Sequence, residues 1–309
     1  MSDAAALREP EAAPVAELAA EPPPSFGTAL RRTLRRDPAA AIGCAVIAVF
    51  ALAALLAPWI APYDPTTQHI IRASEGPGAE FWLGTDEFGR DLLSRIIHGA
   101  RPALLIGVLS VAVSIAIGVP VGMLAGYHLG WVDRAVGWVV DVMLALPSLL
   151  LALMVVALLG ASTFVLVLAI GISHVPIFVR LARGSTLVVR NLEFVSQARS
   201  FGASDLHILR RHVLPNILGP LIIMGTLSIA GAIREEASLS FLGLGVQPPH
   251  PSWGNLIRDG VAGILESPHL AILPGIALTL AVLAFNMVGD SLRDMLDPRD
   301  LTASDRKKT

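Results

Sequence analysis

The chain has 309 residues, 54% of them hydrophobic and only 16% charged, with a mean hydropathy of +0.65; soluble domains run at roughly 45–50% apolar and about 25% charged, so an ordinary soluble enzyme is excluded. Its 23 basic and 25 acidic side chains nearly cancel, whereas nucleic-acid binding calls for a basic excess. One cysteine, Cys44, leaves no intramolecular disulfide or cysteine-cluster metal site, and the only two lysines, Lys307 and Lys308, leave no Gly-Lys step for a Walker-type ATPase loop.

Residues 1–25 are rich in Ala, Glu and Pro, with prolines at 22, 23 and 24, and predict a disordered tail over 1–30. Six stretches then have the roughly 20 apolar residues that cross a bilayer as a helix: 39–60, 102–126, 135–159, 163–181, 213–233 and 270–289. They are long, continuous and rich in Ala and Leu, unlike the ten-residue alternations of a membrane β-barrel. The expected fold is all-α, a polytopic membrane protein of six transmembrane helices. An even number of spans places both termini on one side of the membrane. The two terminal segments and the loops after the second and fourth spans hold 17 of the 23 basic residues, so that side is expected to be cytoplasmic.

Between the first two spans, the segment 85–101 places Phe88, Leu92, Leu93, Ile96 and Ile97 on one face, with Arg90, Asp91 and Arg95 elsewhere. This predicts an amphipathic helix in the outer interface, with Arg101 and Pro102 marking the start of the second span. Within that span Ser110 and Ser114 share a face suited to interhelical hydrogen bonds, and Gly118, Gly122 and Gly126 repeat every four residues, a packing stripe. The third span carries Asp141 about two turns in and Pro147 beyond it. A carboxylate at that depth costs roughly 2.5–3.5 kcal/mol and faces a bundle interior or cavity. It is read here either as a pathway or gate residue or as a carboxylate satisfied by a neighbouring helix.

The loop after the fourth span is amphipathic rather than apolar. Phe194, Ala198 and Phe201 share a face, Gly202 interrupts, and Ser204 can cap a short helix carrying Leu206, Leu209 and Arg210. Leu214-Pro215 is expected to end this unit at the membrane. A helix–glycine–helix with an apolar knob suits insertion into a partner's groove. Hydrolytic chemistry is not visible: there is no His-Glu-x-x-His and no Gly-x-Ser-x-Gly, and His207 and His212 lie five apart, not the four that would align two ligands. Transport, a channel or a structural anchor remain.

Ser196-Gln197-Ala198, Gly202 and Leu214-Pro215 resemble the Glu-Ala-Ala…Gly…Leu-Pro loop of ABC importer permeases, with its spacing kept. Three further segments narrow the likeness. They are Leu83-Gly84-Thr85-Asp86-Glu87-Phe88-Gly89-Arg90-Asp91-Leu92-Leu93-Ser94-Arg95; Gly130-Trp131-Val132-Asp133 with Asp141 and Leu146-Pro147-Ser148; and the run from Glu236-Ala237-Ser238 through Gln247-Pro248-Pro249 to Pro251-Ser252-Trp253-Gly254. Together they are similar to the C-type permease of the dipeptide/oligopeptide/nickel importer class, over residues 34–300. Ser196 and Gln197 depart from the motif's Glu and Ala, so no role of that glutamate carries over. Arg234-Glu235 adds charge beside Glu236 where relatives tend to be apolar, either as a local ion pair near the outer surface or as a substrate-related change.

The resemblance implies a type I importer permease fold, with 31–100 holding the first span, outer loop and interfacial helix, 101–292 the transporter domain, 184–215 its coupling loop, and 293–309 a cytoplasmic tail. It implies half of a heterodimeric pore with a sister permease, in the inner (plasma) membrane, served by two cytoplasmic ATPases and an extracytoplasmic solute-binding protein. This chain would hold no cofactor, with ATP and Mg on the ATPases, and no catalytic residue. Ala198, Phe201, Gly202, Ala203, Ser204, Asp205, Leu214 and Pro215 are expected to couple to the ATPase, and Asp141, Pro147 and Glu236 to line or gate the pathway. Di- and oligopeptides are the expected cargo, with nickel chelates, glutathione and other small solutes as rivals. A secondary transporter should show inverted repeats and paired intramembrane charges, which are not visible; a structural anchor would not need Asp141 or an ordered cytoplasmic plug.

Overall fold

The computed structural model describes residues 37–296, where all regular elements are helical. The tail expected over 1–30, and 297–309 of the C-terminal one, lie outside the described residues. Helix α1 (Pro38–Ile60) starts at Asp37, whose carboxylate accepts from the Ala39 N–H at 2.9 Å, with proline in the first turn where a missing N–H costs nothing. Ser291 of the last helix donates to the same Asp37 carboxylate, joining the two ends of the described chain and holding this carboxyl below its ordinary pKa. At the far end of α1, Arg101 donates to the carbonyls of Ala54 and Leu55.

The outer segment corrects one expectation. No separate interfacial helix covers 85–101: residues 85–91 form a turn, closed by a Thr85–Asp91 bridge, and α2 (Leu92–His128) runs unbroken from there through the membrane region. Asp91 caps α2 by accepting from Ser94 N–H at 2.8 Å. Asp86 accepts from the N–H groups of Phe88 and Arg90 and from Arg90 Nε at 2.6 Å, while Arg95 Nε lies 3.3 Å away. The expected polar face is therefore not solvated: Arg90, Asp91 and Arg95 are buried along with Leu92 of the apolar face, while Phe88 is exposed. Charges that satisfy one another can be buried where an isolated one cannot.

The glycine stripe of α2 lies against α5 (Thr163–Val189), the most extensive helix pair of the fold. A Cβ on Gly118 would meet the Phe178 Cβ at 2.7 Å, one on Gly126 the Arg183 carbonyl at 2.6 Å, and one on Gly122 would overlap the Val179 carbonyl. Ser114 Oγ crosses the same seam to the Gly171 carbonyl at 2.7 Å. Small residues here let two backbones touch, as the four-residue repeat predicts.

The third span is not one helix. It is α3 (Gly130–Leu144) followed by α4 (Ser148–Leu159), bent by 90° across residues 145–147. Pro147 has no N–H and its ring clashes with the preceding turn, so the helix stops and restarts after it. α5 extends eight residues past its expected end at 181, and carries Arg180 and Arg183 alongside α3.

Beyond α5 come α6 (Glu193–Ser200), α7 (Asp205–Ile208), one π-helical turn (Leu209–Val213) and α8 (Leu214–Phe241). Leu214-Pro215 does not end the unit. Pro215 falls in the first turn of α8, and the wider π turn ahead of it lets the helix continue without the hydrogen bond that proline removes. A loop then leads to α9 (Trp253–Ala262), whose buried Trp253 donates from Nε1 to the Ile96 carbonyl at 3.0 Å, and α10 (His269–Leu296) returns to α1. Counting α3–α4 as one broken span, six passes result. One apolar core joins α2, α5 and α8; a second joins the start of α2 to α8, α9 and α10.

Candidate functional site

The unit α6–α7 sits where α2, α5 and α8 converge at the arginine-rich end. Its inner face is fixed by Val195 and Ile208, both fully buried, with Ala198 and Ala203 packed on the same core. Phe201 points the other way and is 90% exposed; Leu206 and, less so, Phe194 are exposed too. The expected face of Phe194, Ala198 and Phe201 is thus split: Ala198 packs inward from within α6, whereas Phe201 stands past its last residue, Ser200, where the chain leaves the core. Gly202 has a φ of +81°, a left-handed conformation that disfavours any side chain, and no atom lies within 4 Å of where a Cβ would stand. Ser204 caps α7 as expected, accepting from the His207 N–H at 3.4 Å.

Tyr127 at the end of α2 holds this unit in place. Its hydroxyl donates to Asp205 at 2.9 Å and accepts from Arg199 Nη2 at 3.1 Å, a bond that raises the Arg199 pKa. Arg190 donates to the carbonyls of Tyr127, at 2.6 Å, and Gly126, at 3.3 Å, capping α2 from α5. Sequence reasoning missed Tyr127 and Arg190. The available signal was a tyrosine, one of only two in the chain, at the end of a predicted span.

The three residues expected on the pathway are not gathered. Asp141 is exposed and pairs with Arg180 of α5 at 2.7 Å, beside a second bridge from Arg183 Nη2 to Asp133 at 2.7 Å. Pro147 stands at the break, exposed. Glu236 is fully buried and accepts from Ser240 at 2.7 Å, while its other oxygen has no hydrogen-bond partner among the described residues. The residue that reaches the break is its neighbour Glu235. It accepts from Ser148, the first residue of α4, at 2.5 Å, and faces Ser173 at 3.3 Å and His174 at 3.7 Å on α5. The Arg234–Glu235 ion pair weighed from the sequence does not form. No group of three or more His, Cys, Asp or Glu able to hold a metal occurs among the described residues.

Residues 118–300 match the family described as the binding-protein-dependent transport system inner membrane component, and residues 25–77 match the N-terminal TM domain of oligopeptide transport permease C. The chain belongs to this family: it is a multi-pass inner-membrane permease subunit of an ABC importer, not itself catalytic, and it works with ATPase and binding-protein partners. Members of this family typically bind no cofactor. The C-type subunit expected from the sequence is borne out by its relatives. A glutathione transport system permease protein GsiD of Pectobacterium atrosepticum is 44% identical over 87% of this chain and 89% of its own length. A GsiD of Escherichia coli is 43% identical over 87% and 89%, and a dipeptide transport system permease protein DppC of Alkalihalophilus pseudofirmus 41% identical over 87% and 88%. A chain of the inward-facing MetNI methionine ABC transporter shares the fold, with a TM-score of 0.56 and 17% identity over 67% of this chain and 98% of that one.

Proposed function

We propose that the chain forms one half of a heterodimeric pore with a sister permease and carries di- and oligopeptides, glutathione among them, inward by alternating access. The observation that carries the substrate class is the pair of relatives named for glutathione and for dipeptide transport, at 44% and 41% identity over almost the whole chain. Two cytoplasmic ATPases bind ATP and Mg, and their closure moves the loop 184–215 through Phe201, Gly202 and Ser204, with Ala198, Ala203, Asp205, Leu214 and Pro215 transmitting that motion to the core. Exposure of Phe201 beside a rigidly held inner face supports this assignment. Asp141, Pro147 and Glu236 belong to the pathway or its gate: Asp141 across the α3–α5 bridge, Pro147 at the break, and Glu236 from within α8. Both termini are cytoplasmic, in keeping with the 17 of 23 basic residues on that side.

Reconstitution with the sister permease, ATPases and binding protein tests this directly. Labelled dialanine or glutathione should accumulate only with ATP and loaded binding protein, and this chain alone should hydrolyse no ATP. Uptake of neither solute would discard the substrate class. Reporter fusions after Ala125 and Lys308 should read cytoplasm and one near Gly76 the outside; a cytoplasmic signal at Gly76 would overturn the orientation.

A further inference from the structure

Three consecutive charges, Arg234, Glu235 and Glu236, stand in α8, and the fold treats them differently. Both carboxylates turn inward, Glu235 to Ser148 and Glu236 to Ser240. Arg234 turns out. It is exposed, and among the described residues its guanidinium has no ion-pair or hydrogen-bond partner. With Leu149, Ala237, Phe241 and Ile257 it lines an open cavity of about 320 Å³ between α8, α9 and the start of α4. That is within the size range of small-molecule sites, which are mostly apolar with a few placed polar groups.

A guanidinium against an apolar wall is costly unless it meets water or an anion, and its planar fork matches a carboxylate in a bidentate way. Its two natural counter-charges are one and two residues away, yet both are withdrawn into bonds on the other side of the helix. The cation is left for something outside the chain. We propose that Arg234 is a carboxylate-binding residue of the transport pathway, holding the anionic end of the solute beside the break in the third span. This rests on the peptide or glutathione reading above and names the chemistry that selects the cargo within the membrane subunit.

The test uses the complete importer in proteoliposomes, with Arg234→Cys made in a Cys44→Ala background and the Cys44→Ala complex treated identically as control. Uptake of the thiol-free solute that the control carries, dialanine or S-methylglutathione, should fall about tenfold, the loss of roughly one charge-assisted contact. Aminoethyl methanethiosulfonate, which returns a cation, should restore most of it; neutral methyl methanethiosulfonate should not. The same thiol-free solute with its binding protein, which does not consume the reagent, should also slow the modification. Unchanged uptake by Arg234→Cys, an unreactive thiol, or equal rescue by the neutral reagent each overturns the proposal. Cationic rescue without protection by that solute would assign Arg234 to a carboxylate of the sister permease and overturn the substrate role. If the control hydrolyses ATP yet takes up neither glutathione nor dialanine, the substrate class itself falls and the carboxylate assignment with it.

Discussion

The α2–α5 seam and the α6–α7 unit are built on opposite terms. Along the seam Gly118, Gly122 and Gly126 bring backbone against backbone, with no room for a single added carbon. In the α6–α7 unit only the inner side is closed, by Val195 and Ile208, while Phe201 and Gly202 face open space. A seam closed on itself resists deformation and can carry a displacement as a rigid body. A unit closed on one side passes such a displacement from whatever grips its other side. Stability and coupling should therefore respond to different residues.

The largest effect on the fold is expected from Gly122→Leu. The new side chain would have to occupy the position of the Val179 carbonyl; the two helices must part along their seam, which costs more than the about 1–3 kcal/mol of ordinary overpacking and more than the about 2–5 kcal/mol of one core truncation. Thermal unfolding in detergent should show a lower midpoint and reduced yield; a variant as stable as wild type would mean that the seam is not tight.

Ile208→Ala comes next. It truncates a fully buried side chain on the inner face of the α6–α7 unit, with an expected loss of about 2–5 kcal/mol. Since the affected contacts lie under the unit, protease sensitivity between residues 190 and 213 should rise along with the fall in stability. Uniform destabilisation without local cleavage would argue against a separately anchored unit.

Phe201→Ala should move stability least, within about 0.5 kcal/mol, because the residue is 90% exposed. Its effect on coupling should be the greatest of the three. Co-purification of the ATPase, and stimulation of its activity by loaded binding protein, should both drop while insertion and unfolding midpoint stay as in wild type. Undiminished coupling in Phe201→Ala would remove the knob from the mechanism. Gly202→Trp is a blunter probe of the same surface, since any side chain there must also adopt the left-handed backbone.

Much of this was legible in the residues themselves. Span number, the glycine seam, the Ser204 cap and the position of the α6–α7 unit all follow from hydropathy, four-residue spacing and capping chemistry, which act over a few turns of helix. The candidate site was only partly legible. Phe201 could be named but not its outward direction, and Tyr127, which reaches Asp205 from 78 residues away, carried no local pattern.

What the sequence determined alone was the class of molecule: a six-pass, all-helical membrane subunit with no ATPase loop of its own. Long apolar runs must satisfy their backbone as helices in lipid, whatever they pack against. Only the tertiary structure decided which charges turn inward. Arg90 and Arg95 are buried because Asp86 is folded back beside them, and Glu235 leaves Arg234 because Ser148, 87 residues earlier, is brought to it by the break at Pro147. The burial of a charge depends on partners that meet only when distant segments pack, so its direction cannot be read from the neighbours in the chain.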